Sequence, residues 1–333
     1  MKKRKNMTNY NDFQLDEHQI DAVKKMHQKL AIMGYIKEQG SEPSDISEYY
    51  TATEDELELY KRAFYAQYEQ NQPQQPNNEI WYTSTDRNIV ELSENYEGAR
   101  PISNTYSNGK GVMVFENELT SIGQFAFCSC TSLTSIEIPS SVTSIGLNAF
   151  CSCTSLTSIT IPSSVTSIGL NAFGYCSSLT SVTISNGVTS IGNEAFCECS
   201  NLTSVNIPSS VTSIGLYAFS GCSSLTSVTI SNGVTSIEEF AFYGCSSLTD
   251  ITIPSSVTSI GNEAFSYCSS LTSIEIPSSV TSIGTAAFYG CSSLTDITFD
   301  GTMAQWNAIT KGGGWNDGVH ATYVQCTDGQ VQL

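Results

Sequence analysis

A 23-residue pattern of apolar positions recurs along the chain and predicts its architecture. Phenylalanine, leucine and cysteine each occupy one position of the pattern in every unit. The phenylalanine column is Phe127, Phe150, Phe173, Phe196, Phe219, Phe242, Phe265 and Phe288. A fixed period of about 20–50 residues is typical of solenoids, whose units bury their apolar edges only by stacking on their neighbours. The sequence therefore predicts a solenoid of eight repeats over residues 119–299.

Residues 133–153, LTSIEIPSSVTSIGLNAFCSC, serve as a model for one repeat. The alternation of Ile136 and Ile138 with polar residues predicts a strand with one buried face. The segment 139–141, Pro-Ser-Ser, consists of residues that favour a turn, and the residues after it bring the chain back towards the core. A short helical or 3₁₀ segment is expected around Phe150. The predicted fold class is thus a mostly β solenoid with short helical segments.

The segments on either side of the repeats have different patterns. Residues 1–70 are predicted to be helical, because apolar residues in 16–39 step by three or four and a capping-box pattern begins at Thr53. Such helices would form a hairpin, an oligomerising stalk that allows self-association, or a helical cap. Residues 71–78, rich in Gln, Asn and Pro, are predicted to be a linker.

Both ends of the solenoid are expected to be closed, because an open coil exposes core and unpaired strand edges. Residues 79–118 contain two strand-like segments, EIWYTST and GVMVFEN, with turns at Glu97-Gly98 and Asn108-Gly109. They are predicted to form the N-terminal cap. Residues 300–333 break the repeat with two tryptophans and a glycine run, and they are predicted to form the C-terminal cap.

The repeat pattern LxxIxIPxxVxxIGxxAFxxCxS closely resembles that of the BspA-like (Treponema-type) leucine-rich repeat family. Glu238 departs from it, standing where the other repeats carry glycine. The segments GTMAQWNAI and VQCTDGQVQL are similar to the closing segment of gut-bacterial members, and EIWYTSTDRN to the segment before their repeats. Members are typically surface proteins of Bacteroides-like bacteria, spirochaetes and mucosal protozoa. The resemblance implies a leucine-rich repeat solenoid that adheres to host matrix proteins and to other cells.

The charge distribution excludes some partners. The formal net charge is −18, and 13 of the 14 Lys and Arg residues lie between Lys2 and Lys110. Between Gly111 and Thr310 the chain has no basic residue. Such a surface cannot neutralise phosphates, so we expect no binding to nucleic acid and none to anionic lipid. No apolar run is long enough for a membrane span, and the start does not have the pattern of a secretory signal.

The twelve cysteines are interpreted as structural thiols rather than as a disulfide framework. Eight of them form one column of the repeat, and buried cysteine packs as a small hydrophobic residue. Cys128, Cys151 and Cys197 share a second column, which elsewhere holds Gly, Ser or Tyr and is expected to be exposed. Cys128 and Cys151 could lie within disulfide range in adjacent coils. The CxC spacing is not a zinc spacing, so no metal and no cofactor is predicted.

Catalytic chemistry has little support in the repeats. The histidines, His18, His27 and His320, all lie outside them, and the repeats contain no Lys or Arg. Serine and threonine are abundant but lack an activating base, which nucleophilic catalysis requires. We therefore predict that the protein is not an enzyme.

The outward positions of the predicted strands are the candidate binding face. They form a flat, weakly acidic surface of short hydroxyl side chains that suits a glycan or an extended polypeptide, although the same residues could simply keep a strand surface hydrated. The candidate residues are Ser135, Glu137, Ser158, Thr160, Ser181, Thr183, Ser204, Asn206, Ser227, Thr229, Asp250, Thr252, Ser273, Glu275, Asp296 and Thr298. A second threonine column, from Thr143 to Thr281, also resembles arrays that bind ice.

Three functions remain open at this point. The first is an interaction or adhesion protein that binds a protein or glycan surface through the repetitive face. The second is a structural spacer or assembly component of a phage particle or cell appendage, anchored by the helical N-terminus. The third is a cytoplasmic scaffold. Sequence alone favours a cytoplasmic or particle-associated location, whereas the family resemblance favours the cell surface.

Overall fold

The computed structural model describes residues 75–96 and 98–333. The predicted helical region 1–70 lies outside the described residues, as do residues 71–74 of the predicted linker and Glu97 of the first predicted turn.

Three antiparallel strands precede the repeats. They are β1 (Glu79–Ser84), β2 (Ser103–Ser107) and β3 (Lys110–Val114). A two-residue turn joins β2 to β3, with Asn108 at φ 52° and Gly109 at φ 80°. Positive φ at both positions matches the right-handed twist of the flanking strands, which explains the Asn-Gly pair.

Each repeat then contributes one short strand and one longer strand. In chain order they are β4 (Ser121–Ile122), β5 (Leu133–Glu137), β6 (Ser144–Ile145), β7 (Ser158–Ile161), β8 (Ser167–Ile168), β9 (Ser181–Ile184), β10 (Ser190–Ile191), β11 (Ser204–Ile207), β12 (Ser213–Ile214), β13 (Ser227–Ile230), β14 (Ser236–Ile237), β15 (Asp250–Thr252), β16 (Ser259–Ile260), β17 (Ser273–Pro277), β18 (Ser282–Ile283) and β19 (Asp296–Asp300).

The chain ends with a helix and three strands. These are α1 (Met303–Ala308), β20 (Thr310–Lys311), β21 (Tyr323–Cys326) and β22 (Gly329–Gln332). Thr302 caps α1 through a capping box with Gln305. The ring of Trp315 lies against Phe288, with centroids 6.2 Å apart, and so extends the phenylalanine column beyond the last repeat.

Two parallel sheets run the length of the solenoid, which confirms the predicted fold class. The short strands, with β20 at one end, form one nine-stranded sheet. The longer strands from β7 to β21 form the other, and β22 adds an antiparallel edge. Strands pair in a register of 23 residues, as in Ile191 with Ile168 and Ile214. The first longer strand, β5, pairs antiparallel with β1.

Part of the predicted linker is held against the solenoid. The backbone N–H groups of Phe115 and Leu119 donate to the carbonyls of Asn78 and Asn77, at 2.8 Å each. The Asn77 side-chain amide also donates to Glu118 at 2.8 Å. Asn77 and Asn78 therefore bond to the segment that leads into the first repeat.

The core is built from the columns that the sequence pattern predicts. In a typical repeat the Leu, Ile, Val, Ala, Phe and Cys columns are buried, and every phenylalanine of the Phe column is fully inaccessible to solvent. Neighbouring phenylalanine rings stack nearly parallel, with centroids 5.0–5.5 Å apart. Each ring therefore fills the space between two others, and no repeat has a complete core of its own.

The helical or 3₁₀ segment expected in each repeat is instead a series of linked turns. In all eight repeats the residue two before the core phenylalanine has φ of 50–58°, and the residue two after it has φ of 57–72°. A right-handed helix cannot contain such residues, because positive φ costs an L-residue roughly 1–2 kcal/mol and reverses the local hand. Within residues 75–96 and 98–333, α1 is the only helix of this structure.

Glu238 disturbs the ladder between two coils. Where glycine occupies this position, its N–H donates to the isoleucine of the preceding coil, as from Gly215 to Ile191 at 2.9 Å. A Cβ atom in place of Gly215 would lie 2.5 Å from the backbone nitrogen of Asn193 in the preceding coil. Among the described residues, the backbone N–H groups of Glu238 and Thr235 donate no hydrogen bond to the preceding coil. Strand β14 pairs with β12 only at Ile237.

Candidate functional site

The candidate binding face lies on the solvent side of the longer-strand sheet. Alternate residues of β7, β9, β11 and β13 are exposed, and the residues between them are buried. We call the exposed positions the strand face. Its described members are Glu137, Ser158, Thr160, Ser181, Thr183, Ser204, Asn206, Ser227, Thr229, Asp250, Thr252, Ser273, Glu275, Asp296 and Thr298, all of which are exposed.

Ser135 is the one candidate that does not fully belong to this surface. Strand β1 pairs beside it, and its hydroxyl lies 2.6 Å from that of Thr83. Ser135 is half-buried as a result. The open part of the strand face therefore begins at Ser158.

The strand face continues beyond Thr298, which sequence reasoning missed. Strand β21 pairs with β19 so that Gln325 lies beside Thr298. Tyr323 and Gln325 are both exposed and extend the two columns by one more strand. The step from Thr298 to Gln325 is 27 residues instead of 23, because α1 is inserted. The alternation of YVQC was the available signal.

Two ladders of threonine hydroxyls hold the coils in register. Thr166 Oγ1 donates to the carbonyl of Thr143 at 3.1 Å, and the same bond recurs at Thr189, 2.9 Å from the carbonyl of Thr166. A second ladder runs beside the strand face, from Thr157 to Thr134 at 3.2 Å and from Thr180 to Thr157 at 3.1 Å. The regular threonine array thus has a structural role in bonding each coil to the preceding one.

The strand face carries negative charges, and the repeats that form it contain no Lys or Arg. Glu137, Asp250, Glu275 and Asp296 are exposed in these columns. Asp296 accepts a hydrogen bond from the Thr295 hydroxyl at 2.9 Å. Since the chain has no Lys or Arg between Gly111 and Thr310, the carboxylates add a net negative potential to a surface that otherwise offers hydroxyl groups.

The cysteine column is buried from Cys153 to Cys291, and the reactivity of these thiols is low. Each thiol from Cys153 onward donates to the carbonyl of a core phenylalanine in the preceding coil, as from Cys176 to Phe150 at 3.2 Å. Burial raises the pKa of Cys176 to about 12, so this thiol is neutral at physiological pH. A thiol that is not ionised is neither a good nucleophile nor a metal ligand.

The second cysteine column is less exposed than predicted. Cys128, Cys151 and Cys197 are half-buried and free, whereas Gly174 and Ser266 in the same column are buried. The turns around the core phenylalanine fold these residues against the next coil. Burial raises the pKa of Cys197 to about 11, helped by the nearby charges of two glutamates. No group of residues in the described part of the chain has the arrangement of a metal site.

A cleft lies at the N-terminal end of the repeats. It has a volume of about 550 Å³ and lies between Tyr96, Glu118 and Phe125. Among the described residues that line it, Glu118 is the carboxylate, and the others are mostly small or polar.

Comparison with protein families identifies the repeats. The family described as BspA type leucine rich repeat region matches the chain in six copies, over residues 106–225 and 189–309. These matches cover more than half of the chain. The protein belongs to this family. The matched residues contain the buried columns of the core and most of the longer strands that carry the strand face.

Several solved structures are similar to this BspA-type chain. A leucine rich cell surface protein from Faecalibacterium prausnitzii A2-165 is 38% identical, with a TM-score of 0.43, over 58% of this chain and 60% of that one. A leucine-rich repeat protein from Bacteroides ovatus ATCC 8483 is 28% identical, with a TM-score of 0.49, over 72% and 70%. The Treponema pallidum leucine rich repeat protein is 32% identical, with a TM-score of 0.45, over 47% and 73%. The chain thus spans less than two thirds of the F. prausnitzii protein.

A search of curated proteins returned no significant match. In the part of the chain that the structure describes, no helix has the length and hydrophobicity needed to cross a membrane.

Proposed function

We propose that this BspA-type protein is a non-enzymatic interaction protein, which binds the surface of another protein or of a glycan through the strand face. The observation that carries the proposal is the strand face itself, a flat array of exposed hydroxyl side chains at a fixed spacing. Short side chains lose little conformational freedom when they bind, and each supplies hydrogen-bond donors and acceptors.

The repetition of the strand face suggests how it would bind. The outward columns hold mostly serine and threonine in successive coils, so one coil differs little from the next. A partner that is itself repetitive, such as a glycan chain or an extended polypeptide, would then make many weak contacts in parallel. Several weak contacts on one rigid array add to a high total affinity.

A structural spacer is the second candidate, and the same repetition favours it. A spacer needs a stiff rod of constant coils, and the threonine ladders and stacked phenylalanines would provide stiffness. Anchoring or self-association through residues 1–70 would belong to this function. The two candidates differ in one respect, because a spacer tolerates bulky changes on the strand face and a binding module does not.

Bulky charged residues on the strand face should reduce binding. We expect the full chain to bind at least one member of an array of extracellular-matrix proteins and mucin-type glycans. The double change Thr183→Arg and Thr229→Arg should weaken that binding by about tenfold or more, because two blocked contacts in the centre of an interface cost at least about 1.4 kcal/mol. Surface plasmon resonance with the selected partner measures the effect.

The matched control places the same charges in the same coils but off the strand. Asn186 and Asn232 lie in exposed turns three residues after Thr183 and Thr229. Asn186→Arg with Asn232→Arg should bind as the unchanged protein does. Equal loss in both double variants would point to charge alone and contradict the proposal. Absence of binding to every array member would favour the spacer.

A further inference from the structure

A second surface, separate from the strand face, is formed by the turns around the core phenylalanines. The position two before the phenylalanine is left-handed in every repeat, a conformation that glycine adopts most easily. Yet none of the eight repeats has glycine there. The residues are Phe125, Asn148, Asn171, Glu194, Tyr217, Phe240, Glu263 and Ala286. The chain thus keeps side chains at a position where the backbone disfavours them, and strain of this kind concentrates at functional sites.

Five aromatic side chains on these turns form a continuous row across four coils. We call Tyr217, Phe240, Tyr243, Tyr267 and Tyr289 the aromatic row. The first two stack with centroids 4.4 Å apart and planes 6° apart. The next three contacts are edge-to-face, with centroids 5.7, 5.5 and 5.4 Å apart and planes at 64–80°.

Three members of the aromatic row are exposed to solvent, and Phe240 and Tyr243 between them are half-buried. Tyr217, Tyr267 and Tyr289 are 37%, 45% and 41% exposed. Isolated exposed aromatic residues are ordinary on a protein surface, but a contiguous group is typical of a binding site. Three of the four ring contacts are edge-to-face, so neighbouring ring planes lie at steep angles to one another. They do not form the flat shared platform on which a sugar ring would stack.

Glutamates lie beside the aromatic row. The backbone N–H of Tyr217 donates to the carbonyl of Glu239 at 3.2 Å, and Glu263 occupies in its coil the same position that Phe240 occupies in the preceding one. Burial raises the pKa of the Tyr217 hydroxyl, and the charges of Glu239 and Glu263 raise it further. No Lys or Arg occurs between Gly111 and Thr310, so the repeats contain no cation to neutralise these acids.

We propose that the aromatic row, with Glu239 and Glu263 beside it, binds lysine or arginine side chains of an extended basic polypeptide. Cations are attracted to the negative faces of aromatic rings and pair with neighbouring carboxylates. Both attractions favour the same kind of side chain. The chain already makes such contacts outside the repeats, where Lys311 lies 4.4 Å from the centroid of the Trp306 ring.

The test uses the full chain and a labelled dodecapeptide of alternating arginine and serine, followed by fluorescence anisotropy. Tyr267→Ala with Tyr289→Ala should weaken binding by about fivefold or more, because two exposed cation–π contacts are removed. This variant keeps the net charge of the protein, so general attraction between an acidic protein and a basic peptide is unchanged. Tyr267→Phe with Tyr289→Phe keeps the ring faces and should bind within about twofold of the unchanged protein.

Two controls complete the test. Tyr175→Ala removes an exposed tyrosine from outside the aromatic row and should leave the affinity unchanged. A dodecapeptide of aspartate and serine should not bind. Equal affinity of the alanine double variant and the unchanged protein, with circular dichroism showing that both are folded, would overturn the proposal. So would binding of a cellulose hexasaccharide that depends on Tyr267 and Tyr289.

Discussion

Replacement of Phe219 by alanine should lower the free energy of unfolding by about 3–5 kcal/mol, which is the usual cost of deleting a buried aromatic ring. Phe219 is fully buried and stacks on Phe196 at 5.3 Å and on Phe242 at 5.5 Å. The cavity would lie in the middle of the column, where neighbouring coils are locked by backbone ladders and cannot collapse into it. Both coil junctions would lose contacts.

Urea denaturation followed by circular dichroism measures this change. Tyr175→Ala is the matched control, because Tyr175 is 50% exposed, and an exposed substitution usually changes stability by less than about 0.5 kcal/mol. A loss of less than about 1 kcal/mol for Phe219→Ala would mean that the phenylalanine column does not form the core.

Removal of residues 156–178 should leave a folded and shorter solenoid. The deletion joins Ser155 to Leu179 and takes out one whole 23-residue unit. Each strand of the next coil then pairs with the coil before the gap in the same register. The short strands are Ser-Ile in every repeat, and the longer strands keep apolar residues at the same buried positions. Cooperative unfolding should persist at a lower midpoint, because one set of stacking contacts is lost.

Removal of residues 156–167 is the control, since it takes out about half a unit. Strand β7 is lost, and the remaining segment is too short to close a coil. Both parallel sheets would be interrupted, so we expect loss of the cooperative transition. Circular dichroism and thermal melts compare the two deletions. If the smaller deletion were tolerated better than the larger one, the 23-residue unit would not be the unit of folding.

The solenoid could be predicted because the residues that determine it recur in every 23-residue unit. Each column of the repeat corresponds to one direction around the coil, so a fixed step places Phe150 and Phe173 in contact without any knowledge of loops. The same argument correctly places Thr160 and Thr183 on the outside of the strands. Ser135 is an exception. Its column predicts an exposed residue, but β1, which comes from outside the repeats, pairs beside it and partly buries it.

The turns around the core phenylalanines were harder to predict from the sequence than the strands. A segment such as GLNAF has no glycine at Asn148, so a left-handed residue there is not expected, and a helical turn was the natural prediction. Ladder bonds to the next coil hold this conformation, as from the N–H of Asn148 to the carbonyl of Leu170 at 2.9 Å. Those bonds exist only once the coils are stacked.

The columns of the repeat do not predict the aromatic row, for a related reason. Its members belong to three columns of the repeat. Tyr217 and Phe240 share one column and stack directly, whereas Tyr267 meets Tyr243 and Tyr289 because neighbouring turns overlap diagonally. Tyr243 and Tyr289 share one column, whereas Tyr267 lies in another. The signal that the sequence does contain is variability, since these turn positions differ between repeats while the strand columns hardly change.

The central claim is that the periodic apolar columns face one continuous interior. Hydroxyl-radical footprinting with mass spectrometry tests it directly, because aromatic side chains are oxidised only where solvent reaches them. In the native protein, the column phenylalanines Phe150, Phe173, Phe196, Phe219, Phe242, Phe265 and Phe288 should remain unmodified, while Tyr175, Tyr267 and Tyr289 are oxidised. Oxidation of the phenylalanine column as fast as that of these tyrosines would contradict the claim.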